Sequence, residues 1–181
     1  MGLYRWCAGC AKLATLAVVC GLLLSVGTLA WGVPPQAAPL RVAATIFPLY
    51  DLVRQVAGPA VEVVLLVPPG ASPHTFTVKP GTVRALTGCV AVFTIGHGLD
   101  DWAARLAQEA GVQRTVVTDA RVPLRRGYSE HHDTGHPGSH AAAPDAVDPH
   151  YWLSIPNAML MVQSIAEVLG QLEPSAQADF Q

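Results

Sequence analysis

The chain carries seven histidines, and their placement sets the chemistry open to it. His74 lies in Pro68-Pro69-Gly70-Ala71-Ser72-Pro73-His74-Thr75-Phe76. The prolines stiffen that loop, so fixing an imidazole there loses little entropy, and neutral imidazole is a common transition-metal ligand. His150 lies in Asp148-Pro149-His150-Tyr151-Trp152-Leu153, again directly after a proline and just before a helical pattern. Between them runs Glu130-His131-His132-Asp133-Thr134-Gly135-His136-Pro137-Gly138-Ser139-His140. His131, His132, His136 and His140 are close enough in sequence to chelate together. Two rigid histidines and a flexible histidine tract point to a protein that collects a borderline transition metal. The tract loses more ordering entropy on binding, so it is predicted to bind more weakly than the rigid pair. The competing reading makes His74 and His150 surface histidines on unrelated loops, and the tract a solvated linker.

His97 sits between Gly96 and Gly98. It reads either as an accessory ligand that assists metal entry or as a tolerated turn residue. Asp119 and Asp148 could fix imidazole tautomers by accepting ring N–H groups. Asp148, two residues before His150, also reads as a local cap. Tyr151 and Trp152 are expected to pack the base of the His150 loop.

The elements that must position these side chains alternate in type. Strands are predicted at Leu40–Ile46, Val61–Val67, Cys89–Ile95 and Arg114–Thr118. Helices are predicted at Leu49–Ala57, Pro80–Leu86, Leu99–Ala110 and Ile155 to about Leu172. In the third helix Asp100 and Asp101 are expected to sit in the first turn, where they favour the helix dipole. In the last, Met159, Val162, Ile165, Ala166 and Leu169 are expected to form the buried face. Strands alternating with helices imply βαβ units and a parallel sheet. Continuous apolar strands imply that both faces are covered. Both rigid histidines then fall on loops at the carboxyl edge of an α/β sheet, the edge where ligands bind. From Asp119 to Pro149 no periodicity survives, and residues 129–144 are expected to be disordered without metal.

The N-terminus has the form of a targeting segment. Arg5 and Lys12 precede an apolar run from Leu13 to Ala30, and Thr28-Leu29-Ala30 offers a small-residue cleavage site. Residues 1–30 are therefore expected to be a signal peptide or an uncleaved membrane anchor, and residues 31–39 a linker. Cys7, Cys10 and Cys20 lie in the targeting segment, leaving only Cys89 beyond it, so a cleaved product could form no intrachain disulfide. At 51% hydrophobic, 13% charged and a net charge of −2, the chain has no footprint for nucleic acid. It has no His-Glu-x-x-His helix, no Gly-x-Ser-x-Gly elbow and no phosphate-cradling glycine loop. No glutamate flanks His74 or His150 as a general base, so no enzyme is expected.

Residues Leu40–Gln181 resemble the N-terminal half of the metal-specific solute-binding proteins of zinc and manganese ABC importers (metal-binding cluster A-I). The resemblance rests on Pro69–Phe76, on the Gly96 turn before Asp101-Trp102, and on Asp148–Ser154, in that order around a histidine-rich loop. It implies one α/β lobe of a bilobed fold, with the lobes joined by a long backbone helix. Residues 40–174 would be the metal-binding lobe and Ser175–Gln181 the first turns of that helix. The C-terminal lobe, with its further ligands, would be missing. The resemblance makes His74 and His150 ligands for zinc, with manganese the alternative, and an ABC permease in the membrane the partner. It implies an extracytoplasmic receptor, the alternative being a histidine-rich zinc buffer. His97 stands where such proteins do not normally place a ligand.

Overall fold

A computed structural model describes residues 38–126 and 146–180, and from Pro39 onward these form one compact unit. The strands are β1 (Leu40–Ala44), β2 (Val61–Leu65), β3 (Ala91–Thr94) and β4 (Arg114–Val117). The helices are α1 (Phe47–Ala57), α2 (Pro80–Ala85), α3 (Trp102–Glu109) and α4 (Ile155–Leu172). All strands are parallel, in the order β2-β1-β3-β4. The α/β class, a parallel sheet flanked by helices, is as expected.

Alternate residues of β1, β2 and β3 feed two cores, as the two-residue period of a strand requires, while β4 at the edge feeds one. Val42, Ala44, Phe93 and Ile95 pack with Leu49 and Val53 of α1 and with Met161, Ile165 and Leu169 of α4. Ala43 and Val92 face Leu86, Ala103, Leu106 and Ala107 on the other side. The central strands β1 and β3 are covered on both faces over Val42–Ala44 and Ala91–Thr94, and apolar there except for Thr94.

Chain order leaves β1 in opposite directions, toward β2 on one side and β3 on the other. That reversal opens a crevice beyond the carboxyl ends of β1 and β3. The His74 loop leaves β2 at this edge, and its root is pinned by Leu66 and Val67 amides bonded to the Ala44 and Thr45 carbonyls at 3.0 and 2.9 Å. The long connection after β4 is pinched by an antiparallel bridge between Arg126 and Val147, which returns the chain to the same edge at Asp148.

Three expectations are corrected. α3 begins at Trp102, not Leu99, and Asp100 lies outside it, fully buried. Its carboxylate is bonded to the chain before the helix instead of to the helix dipole. The buried face of α4 is Met161, Ile165, Val168 and Leu169, while Met159 is 62% exposed. This helix is apolar on most of its circumference, so periodicity alone does not select the face. Finally, Pro174–Asp179 forms a 3-10 run instead of α-helix, and Phe180 is buried against the α1–α4 core. Pro174 lacks the N–H that a continuing helix would use. Gly170 lets the returning segment approach α4, since a Cβ there would meet Gln177 Cγ at 2.9 Å.

Candidate metal centre

The floor of the site is built from strand ends. Asp100 reaches back under the turn after β3. One carboxylate oxygen accepts the Ile95 amide at 2.9 Å and the Thr45 hydroxyl, and the other accepts the Gly96 amide at 2.7 Å. Burial pushes this carboxyl above its ordinary range, and the donors from Ile95, Thr45 and Gly96 oppose that. The result ties β1, through Thr45, to the end of β3.

Tyr151 stands on this floor. Its hydroxyl donates to the Ile95 carbonyl at 2.9 Å and lies 3.3 Å from Thr118 Oγ1. Thr118 Oγ1 in turn donates to the Thr94 carbonyl at 3.2 Å. Burial raises the Tyr151 phenol well above its ordinary value, so the hydroxyl stays protonated and keeps donating. Trp152, half-buried, lies with its ring 5.3 Å from that of His150. Tyr151 and Trp152 thus pack the base of this loop, as expected.

His150 is aimed by its neighbour. Asp148 Oδ1 accepts both the His150 backbone N–H at 2.9 Å and ring Nδ1 at 3.0 Å. Capping and tautomer control, which the sequence offered as alternatives, are done by one oxygen. A carboxylate only accepts, so Nδ1 carries the proton and, in the neutral ring, Nε2 keeps a lone pair. That lone pair faces His74, whose Nε2 lies 3.3 Å away. The His74 loop is held by Phe76, whose ring packs on Trp102 at 4.9 Å between centroids. Two residues 76 positions apart are therefore brought together.

The separation bears on chemistry. Two nitrogens at about 2.0–2.1 Å from one zinc ion, about 109° apart, stand about 3.3–3.4 Å from each other. The His74–His150 pair has the edge length of a zinc tetrahedron. Without metal, His74 Nε2–H can donate to His150 Nε2. For both nitrogens to ligate, His74 must move its proton to Nδ1. Among the described residues, no group of three or more His, Cys, Asp or Glu side chains could hold a metal ion.

The structure places His97 differently. Its Nε2 lies 2.8 Å from Asp119 Oδ2, and its ring stands edge-on to Tyr151 at 6.1 Å. Asp119 thus orients a histidine, but His97, not one of the rigid pair. His131, His132, His136 and His140 lie outside the described residues, as do the expected disorder of 129–144 and the expected signal segment 1–30.

A profile of the family described as "Zinc-uptake complex component A periplasmic" (ZnuA) matches residues 42–181. The chain belongs to that family. It is 29% identical over 138 residues to a putative metal-binding protein of Treponema pallidum, covering 75% of this chain and 43% of that one. It is 27% identical over 147 residues to the zinc-binding lipoprotein AdcA of Streptococcus pneumoniae, covering 78% and 28%. Among solved structures, it superposes on the solute-binding protein FpvC of Pseudomonas aeruginosa in complex with Mn2+ with a TM-score of 0.68 and 29% identity, covering 79% of this chain and 50% of FpvC. The chain spans about half, or less, of the length of the relatives it matches.

Asp100 is the residue of this site whose role sequence reasoning missed. Its acidic position three residues after His97 resembles a helix-cap signal. A clue was available in the glycines: Gly96 and Gly98 both adopt positive φ, and a turn that tight needs an acceptor for its amides.

Proposed function

We propose that this chain is the first lobe of the extracytoplasmic metal-binding component of an ABC importer. In this reading His74 and His150 take zinc as cargo and the protein passes it to a membrane permease. The observation that carries the reading is the 3.3 Å separation of the two Nε2 atoms, with Asp148 bonded to Nδ1 of His150. That carboxylate–histidine arrangement raises ligand basicity and holds the ring in the ligating tautomer. Imidazole donors favour zinc over manganese, which prefers oxygen ligands. Further ligands would come from a second lobe, as the length of the matched relatives suggests. The histidines at 131, 132, 136 and 140 would gather zinc near the site, and residues 1–30 would direct export or anchor the chain. No bond is made or broken in the cargo, so no catalytic residue is assigned.

Competition between the full chain and a chromophoric chelator for Zn2+ tests this. His74→Ala and His150→Ala should each weaken the tightest site by at least about tenfold, or about 1.4 kcal/mol. The double variant should lose less than the sum, because both act on one ion. If the tightest site survives both substitutions and disappears when the tract histidines become alanine, the chain is a histidine-rich buffer and the receptor reading is wrong.

A further inference from the structure

His97 is the one non-glycine residue with positive φ among the described residues, at 56°. Its neighbours Gly96 and Gly98, at 75° and 88°, can take that conformation freely. An L-residue between them is strained, because its Cβ crowds the backbone. Glycine at 97 would relieve the strain, so the histidine side chain must act to offset it.

What it touches is specific. Nε2 meets Asp119 Oδ2 at 2.8 Å, just past the end of β4. The ring stands nearly perpendicular, at 82°, to the ring of Tyr151. Tyr151 directly follows His150 and is buried, with its hydroxyl bonded to Ile95 and Thr118, its carbonyl accepting Asn157 Nδ2 at 3.1 Å and its ring edge-on to Trp152 at 6.4 Å. The imidazole and the Trp152 indole thus flank a ring whose tip is already pinned, and His97 is the flank that the turn after β3 supplies.

We propose that His97 is a positioning residue for His150: its strained backbone sets an imidazole between Asp119 and Tyr151, and this fixes the loop that aims His150 at His74. The metal consequence rests on the reading of His74 and His150 as ligands; the positioning itself does not. His97 Nε2 is committed to Asp119, so His97 acts through Tyr151 and not as a ligand.

The test uses the full chain and two variants. His97→Gly removes strain and side chain together. His97→Gln supplies a side-chain amide that reaches about the position of Nε2 and can donate to Asp119. The first readout is amide hydrogen exchange without metal. For His97→Gly, exchange at the His150 amide and through residues 150–153 should quicken about tenfold, while the amides of β1 and β3 keep their protection. His97→Gln should restore it to within about threefold. The second readout is Zn2+ affinity by chelator competition, expected to fall about tenfold in His97→Gly and to recover in His97→Gln. Unchanged exchange at His150 in His97→Gly overturns the proposal. So does equal acceleration in the sheet, which would make His97 a stability residue. His150→Ala is the control on the reading beneath it. If that variant binds zinc as the parent does, the ligand assignment fails, while the metal-free exchange still decides the role of His97.

Discussion

Asp148→Ala is the most informative single change near the metal centre. One oxygen of Asp148 accepts two bonds from His150, at 2.9 and 3.0 Å. Alanine removes both, frees the ring to turn about its χ angles, and no longer prefers the Nδ1–H tautomer. Outer-sphere partners of ligating histidines are worth about 10–100-fold in metal affinity, or about 1.4–2.7 kcal/mol. Asp148→Asn separates geometry from charge. Because a single oxygen takes both bonds, an asparagine carbonyl in its place can still accept them. What is lost is the charge on a carboxylate whose side chain is 24% exposed, an effect that solvent screening reduces. The expected order of Zn2+ affinity is parent, then asparagine within about tenfold, then alanine lower by a further factor of about ten. The thermal midpoint should fall modestly, by the loss of two local hydrogen bonds to a half-buried carboxylate. The assay is chelator competition with the full chain, with the tract histidines changed to alanine so that one class of site is read. Equal affinities in parent and alanine would refute the reasoning. An asparagine variant as weak as alanine would show that charge, not aim, is what Asp148 supplies.

Other consequences follow from the packing and the floor of the site. Asp100→Asn leaves one acceptor where two oxygens now serve three donors and turns an amide NH2 toward a backbone N–H; it should cost about 2–3 kcal/mol in urea unfolding. Burial raises the folded carboxyl of Asp100, so the folded chain holds that proton to higher pH than the unfolded one. This increment of stability is full below the unfolded value of about 3.9 and is lost as pH rises through the folded value, and the asparagine variant should lack that slope. Tyr151→Phe takes the donor from the buried Ile95 carbonyl and should cost about 1–3 kcal/mol, read as a lowered thermal midpoint. Met161→Ala should cost about 2–5 kcal/mol by opening a cavity, whereas Met159→Ala, on the exposed side of the same helix, should stay within about 0.5 kcal/mol.

Local chemistry explains what could be read without coordinates. The apolar run at Cys89–Ile95 announced a buried strand, the run at Val61–Val67 announced a strand that proves only partly buried because it lies at the sheet edge, and Gly58-Pro59 stopped α1 within a residue of where it ends. Strand boundaries came out long by a residue or more, because runs such as Leu66-Val67 and Cys89-Val90 stay apolar or buried beyond the ladder. The meeting of His74 and His150 was legible only through topology. Both follow prolines, but nothing local says that a loop after β2 and a loop before α4 share one sheet edge. That needs the parallel order and the resemblance together. Asp100 was misread because an aspartate just before a helix normally serves the helix, and only the buried turn shows that it serves Ile95 and Gly96. The face of α4 was misread because Met159 and Met161 are equally apolar, and only the neighbouring α1 and β3 decide between them.

The central claim is that one metal ion joins His74 to His150. The direct measurement is a crystal of the full chain grown with stoichiometric Zn2+, with anomalous differences recorded at the zinc edge. The account predicts one strong peak about 2.0–2.1 Å from both Nε2 atoms, with Asp148 still bonded to Nδ1 of His150. A zinc peak held elsewhere, with the two imidazoles unliganded, would contradict it.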